Sequence, residues 1–145
     1  MKFVTLGFVI VVAAVGAVGL AAQGKPNLSG AWIGIDPQQG VRELTIKQDD
    51  STLTFEGQPG VTKQTFKLDG SETKMSGPDG KPLLAKAVWK GDTLVVTVNE
   101  PESTQDIRRL TWALDGDGQL VLVTEILGTI IGESPAPLKN VFKRR

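Results

Sequence analysis

From residue 30 onward the chain runs in short stretches of alternating apolar and polar residues, and each stretch stops at a cluster of Asp, Gly or Pro. No other feature constrains the fold as strongly. Alternation puts the apolar residues on one side of a pleated strand, whereas a helix needs them three and four residues apart. The alternating stretches cover 31–35, 41–48, 52–56, 61–68, 72–75, 83–90, 93–99, 106–114, 119–126 and 138–143. Between them lie Asp49-Asp50, Gln58-Pro59-Gly60, Asp69-Gly70, Gly77-Pro78-Asp79-Gly80, Gly91-Asp92 and Asp115-Gly116-Asp117-Gly118. Asp-Gly pairs accept the positive φ that tight hairpins need. No window of ten residues carries a helical period, so the domain is predicted to be all-β.

The segments "IKQDDSTLTF", "VWKGDTLVVT" and "WALDGDGQLVLVT" share one grammar: strand, acidic or glycine turn, then Leu53, Leu94 or Leu120 restarting the next strand. Their uneven spacing does not suit a solenoid or a propeller. Successive hairpins instead predict an antiparallel up-and-down β-barrel of about 8–10 strands, because a sheet that curls shut removes its own edges. Alternation assigns an inner face: Leu44 and Ile46, Leu53 and Phe55, Phe66 and Leu68. It continues with Leu94, Val96 and Val98, then Leu110, Trp112 and Leu114, then Leu120 and Leu122. Gln64, Glu100 and Thr124 fall on the same side.

Ahead of the barrel, residues 1–24 read as a signal peptide. Lys2 precedes an apolar run from Phe3 to Leu20, and small residues at Ala21, Ala22 and Gly24 place cleavage near 21–24. Residues 25–145 are then the barrel domain, secreted or periplasmic. The alternative is an uncleaved N-terminal anchor, since the run approaches the roughly 20 residues that span a bilayer. No later segment is apolar over such a length, so no stable membrane span is expected once the leader is removed.

The 145 residues include no Cys, His or Tyr. Without Cys there are no disulfides and no thiolate sites. Without His the commonest general base and metal ligand is missing. No cofactor and no metal are expected, and no enzymatic activity. Glu43, Glu100, Glu102 and Asp106 have no spacing that distinguishes an acid–base pair from surface charge. Sixteen basic residues balance sixteen acidic ones, and loss of Lys2 with the leader leaves one acidic residue in excess. Such a balance attracts no nucleic acid. "DGDGQLVLVTE" (115–125) lacks the ligand spacing of a calcium loop, and "GPDGK" (77–81) lacks that of a phosphate loop. Both are predicted turns.

Gly30-Ala31-Trp32, followed by the hairpins "TFKLDG", "WKGDTLVV" and "LTWALDGDGQLVLV", resembles the calycin superfamily of lipocalins and fatty-acid-binding proteins. The order of elements from 30 to 143 agrees with that family. Among its members the chain is most similar to small secreted bacterial lipocalin-like proteins that begin Leu-Ser-Gly-x-Trp. The resemblance implies that Gly30 and Trp32 form a structural plug at the closed end of the barrel. It also implies a basic partner on the indole face, with Arg108, Lys139 and Lys143 as candidates. Two family features are missing. Residues 36–40 are too few for a helical lid, and Asn140-Val141-Phe142 stands where an Arg-x-Tyr would hold a fatty-acid carboxylate.

The function expected is binding of a small apolar or amphipathic ligand inside the barrel. Its lining would be Leu44, Phe55, Phe66, Leu94, Val96, Leu110 and Leu122, with Arg42 and Arg108 as inward guanidiniums able to hold an anion; the alternative for both is to reach out to the rim or to pair with Glu43, Glu100 or Glu125. The alternative is a non-catalytic structural or protein-interaction barrel with a filled interior. Residues 126–132, apolar and glycine-interrupted, are expected to fold as a flap over the mouth, the alternatives being plain hairpin packing or a partner-binding patch.

Overall fold

The alternating stretches become ten strands of one antiparallel sheet in a computed structural model that describes residues 24–36, 43–57, 63–77, 79–128 and 135–145. In chain order they are β1 (Gly30–Gly34), β2 (Glu43–Gln48), β3 (Thr52–Gly57), β4 (Gln64–Lys67) and β5 (Asp69–Ser76). Then follow β6 (Pro82–Lys90), β7 (Thr93–Asn99), β8 (Asp106–Leu114), β9 (Leu120–Ile126) and β10 (Leu138–Arg144). Each strand pairs with its chain neighbour, except that β1 also pairs with β10 and β4 with β5 does not. The sheet therefore curls into a nearly closed barrel whose two ends, β4 and β5, face each other. At that seam the Lys67 amide donates to Thr73 Oγ1 (3.1 Å) in place of a backbone ladder. Residues 1–23 of the predicted signal peptide lie outside the described residues.

The inner face is apolar and tightly packed. Leu53, Leu94 and Leu120, the three restart leucines, are 0% exposed. Ile46, Phe66, Val96, Val98, Trp112 and Phe142 are likewise buried. At about 1.5–3 kcal/mol for each large side chain removed from water, this core accounts for a fold without disulfides. The wall formed by Leu83, Ala85 and Ala87 of β6 completes it, small residues alternating with the bulkier ones of β7.

Because the chain meanders, its hairpins alternate between two ends of the barrel. One end is closed by residues 24–29, which cross beneath the strands. The Leu28 amide donates to Gln48 Oε1 (2.9 Å), Gln48 Nε2 donates to the Pro26 carbonyl (3.1 Å), and the Gln48 amide donates to Ser29 Oγ (2.9 Å). Leu28 itself is 0% exposed. Trp32 seals the same end, with its indole Nε1 donating to the Leu28 carbonyl at 3.0 Å.

The basic partner of Trp32 is Arg144, not Arg108, Lys139 or Lys143. Its guanidinium carbon lies 4.5 Å from the indole centroid, while Nη1 donates to the Ser29 carbonyl (2.7 Å) and Nη2 to that of Asn27 (3.2 Å). Register explains the choice. Trp32 is opposite Arg144, whereas Lys143 is opposite Ile33 and Lys139 opposite Val123, both on the outer face. Arg108 stands at the other end of the barrel.

Gly30 makes room for this clamp. Its φ of +146° is one that L side chains rarely adopt, and a Cβ there would lie 2.7 Å from Arg144 Nη1. Gly30→Ala is expected to cost about 1–3 kcal/mol through backbone strain and displacement of the guanidinium, read as a lower urea midpoint with an unchanged m value.

The β2–β3 turn is held by Asp49, whose Oδ1 accepts from the amides of Ser51 (2.8 Å) and Thr52 (2.7 Å). These bonds, the Ser51 amide first, hold its carboxyl at about 2 instead of the ordinary 3.8. A pKa lowered by folding gives stabilisation that is complete above the unfolded value and lost as pH falls through the folded one. Thermal midpoints followed from pH 4 to pH 2 should therefore fall more steeply for the natural chain than for Asp49→Asn, which keeps an acceptor but not the charge.

Candidate ligand-binding site

A cluster of three aromatic rings crosses the barrel. Phe55 stacks on Phe66 with centroids 5.7 Å apart and meets Trp112 at 5.2 Å. Phe55 belongs to β3 and Trp112 to β8, which are five steps apart in the ring of ten strands and so lie on opposite walls. Their contact means that the interior is filled at this level. Beneath it, Trp32, Ile46, Leu53, Leu94, Leu120 and Phe142 leave no exposed surface to speak of.

Beyond the rings the inner face is less completely covered. Leu110, Leu122, Thr124 and Asn140 occupy inner-face positions on β8, β9 and β10, yet all are only half-buried. Toward the rim, inner-face Ile126 is 37% exposed and Leu138 50%. Ile35, which follows β1 at the same end, is 46% exposed. Among the described residues these three are the exposed large hydrophobics, and all sit at the open end. A cleft of about 590 Å³ lies between the β5–β6 turn and the start of β8, lined in part by Leu83, Ile107 and Arg108.

Arg108 stands on the inner face between Val98 and Ile126. It is half-buried and makes no ion pair or side-chain hydrogen bond with any described residue. Its neighbour Arg109 points outward and pairs with Glu125 at 3.4 Å. Asp79 and Glu100 line the same cleft as Arg108. Asp79 is already engaged: the Lys81 amide donates to it (3.1 Å) and the Lys81 ammonium lies 3.5 Å away. These contacts, the amide first, hold its carboxyl below the usual range.

The residues singled out from the sequence thus separate into two levels. Leu44, Phe66, Leu94 and Val96 are packed in the core, and Phe55, Arg108, Leu110 and Leu122 keep part of their surface open. Arg42 lies outside the described residues, as does most of the flap expected over 126–132. Glu100 departs from its expected inward position: Asn99 ends β7, so Glu100 is carried into the turn and is exposed. Glu43 is exposed on the outer face, 3.8 Å from Arg145. The segment at 115–119 is the predicted hairpin turn, closed by the Asp115 amide donating to the Gln119 carbonyl (2.9 Å).

Two elements of the mouth were not read from the sequence. Ile107 is an extra residue in β8, where the register shifts, and it packs against the core. Asn99 is 8% exposed, the buried polar residue among the described ones. The only signal for either was the Pro101 turn in "VNEPES".

Solved structures with this architecture exist. One, described as "REP1-NXSQ fatty acid transporter", aligns with a TM-score of 0.58 at 16% identity over 81% of this chain and 96% of that one. A tyrosine-to-phenylalanine mutant of the same transporter aligns with a TM-score of 0.59 at 16% identity, over 81% and 98% of the two chains. At such identity the likeness is one of fold. No family model and no curated protein matches the sequence.

Proposed function

We propose that this chain is an exported carrier that binds a small amphipathic molecule in the upper half of its barrel and performs no chemistry on it. The observation that carries this reading is the division of the interior by the Phe55–Phe66–Trp112 cluster. Below the rings side chains fill the space, and above them apolar walls remain partly uncovered beneath an open rim. A concave, mostly apolar site with a few polar groups is what small-ligand pockets look like. Leu110 and Leu122 would contact the apolar part of the ligand, with Phe55 as the floor. Arg108 would meet a polar or anionic head at the mouth.

Two further considerations support the reading. The structurally similar protein is described as a fatty acid transporter, so a barrel of this architecture accommodates such a role. The apolar N-terminal stretch with its small-residue border supports export, and a sequence without His, Cys or Tyr supports binding in place of catalysis. Fold alone does not settle function, so the carrier role rests on the site.

Native mass spectrometry of the mature protein, purified gently from its own host, tests the proposal. A stoichiometric small lipophile, released on denaturation, is expected. A clean apo mass with no uptake from a lipid extract would favour the alternative of a filled interaction barrel.

A further inference from the structure

The outside of the barrel differs between its two sides. Outward positions on β2–β5 are polar, among them Thr45, Lys47, Thr54, Thr65 and Lys74. On β6–β10 the outward positions are mostly apolar. Val88, Val95, Thr111 and Val123 stand opposite one another in a row across four strands. Ala113, Val121 and Val141 form the next row, and Ile33 of β1 continues the face beside β10. These side chains are only half-buried. Strands β7 and β9 are therefore apolar on both faces, the pattern of strands covered from both sides. The core covers their inner face, and among the described residues nothing covers the outer one. A contiguous apolar face of this kind marks an interaction surface.

The charges around the face decide what fits it. Arg109 of β8 and Glu125 of β9 pair at 3.4 Å on its mouth side. On one flank Asp92 lies in the β6–β7 turn, and on the other Lys139 and Lys143 lie on β10. All three are exposed, and none is in an ion pair with a described residue. An anionic bilayer would meet Asp92 and Glu125 on the same face and is a poor match.

A second copy is a good match. A two-fold axis along the strands, between β8 and β9, lays β8 over the partner's β9 and β7 over the partner's β10. Residues paired in the sheet are level with each other, so the register gives the contacts. Ala113 comes over the partner's Val121, and Thr111 over the partner's Val123. Arg109 comes over the partner's Glu125, which turns two internal ion pairs into a ring of four alternating charges. Leu94 is level with Asn140 through Trp112 and Leu122. Asp92, two residues before Leu94, therefore comes level with Phe142 and beside the partner's Lys143, acid against base. Strands about 4.8 Å apart give six of them a face of roughly 500 Å². Two such faces bury about 1,000 Å², where specific interfaces begin.

We infer that the outward face of β6–β10 and β1 is the contact surface of a symmetric dimer, covered by a second copy of this chain. The inference concerns the outside of the barrel and stands whether or not the interior holds a ligand.

Sedimentation velocity of the mature protein, from about 1 to 300 µM, tests it. An interface of this size predicts a monomer–dimer equilibrium with a Kd of about 1–100 µM. Val121→Lys puts a charge at the centre of the apolar contact and should weaken association at least about 100-fold. Thr111→Lys does the same from the neighbouring strand and serves if the first variant does not fold. Asp92→Lys and Lys143→Asp each set like charges against one another and should weaken the dimer about tenfold. Combined in one chain they should restore it, because each copy then offers the opposite pair. A protein that stays monomeric over the whole range overturns the inference. So does a dimer indifferent to Val121→Lys and Thr111→Lys, or one that the single charge reversals weaken and the double variant does not recover. Monomers that bind phosphatidylglycerol vesicles, and lose that binding in Val121→Lys, overturn it in favour of a lipid surface. No substitution here lies on the inner face, so small-lipophile uptake should be equal in all variants, and its absence would bear on the carrier reading alone.

Discussion

Trp32→Ala should lower folding stability by about 3–5 kcal/mol, the range for removing a large aromatic from a packed core. That is a substantial part of the 5–15 kcal/mol that holds a typical domain together. The size follows from what the ring does. It is 1% exposed, it anchors residues 24–29 through the bond from Nε1 to the Leu28 carbonyl, and it supports the Arg144 guanidinium on its face. Removal leaves a cavity at the closed end and frees the segment that covers it. Trp32→Phe keeps most of the packing but loses the donor, for an expected cost of about 1–2 kcal/mol. Urea unfolding of the two variants beside the natural protein measures both. Ligand binding at the far end should persist wherever the Phe variant is folded, because the aromatic cluster separates plug from mouth. A full loss of probe binding in folded Trp32→Phe would contradict that separation.

The strands were legible because local chemistry decided them. Every observed hairpin turn among those fully described carries Asp, Gly or Pro, and the alternation between turns admits only one buried face. Leu53, Leu94 and Leu120 illustrate the point: each follows a turn and each is completely buried. What the sequence hid depends on events at long range or on broken periodicity. Arg144 looks like part of a solvated basic tail, and it becomes a structural clamp only because β1 and β10, more than a hundred residues apart, pair with Trp32 opposite Arg144. Ile107 breaks the alternation of β8 by one residue, so a strict period of two gives the wrong face for Asp106, and β7 ends at Asn99 before that period reaches Glu100. β5 begins earlier than expected, at Asp69, through a second register shift between Asp69 and Glu72. The division of the interior was also hidden. Inner-face membership says that Phe55 and Trp112 share a core, but only the closed ring of strands places them on opposite walls.

That division leads to the second large effect. Phe55→Ala should remove the floor of the upper chamber, since Phe55 is the ring that touches both Phe66 and Trp112. A stability loss of about 2–4 kcal/mol is expected, below that of a fully enclosed aromatic because Phe55 is already half-buried. The consequence for binding is opposite in sign. With the floor removed, space opens beside Trp112, so a probe with a long alkyl chain should gain affinity relative to a short one. Trp112 supplies an internal reporter, because its buried Nε1 has no hydrogen-bond partner. An empty enlarged chamber admits water to that donor and shifts tryptophan emission to longer wavelength, and filling it with the long-chain probe should reverse the shift. Phe55→Leu, which keeps an apolar floor of smaller size, should show neither change in full. If Phe55→Ala destabilises the barrel but leaves the chain-length preference unmoved, the ligand does not reach the aromatic cluster. The binding site would then be confined to the rim, around Arg108, Ile126 and Leu138.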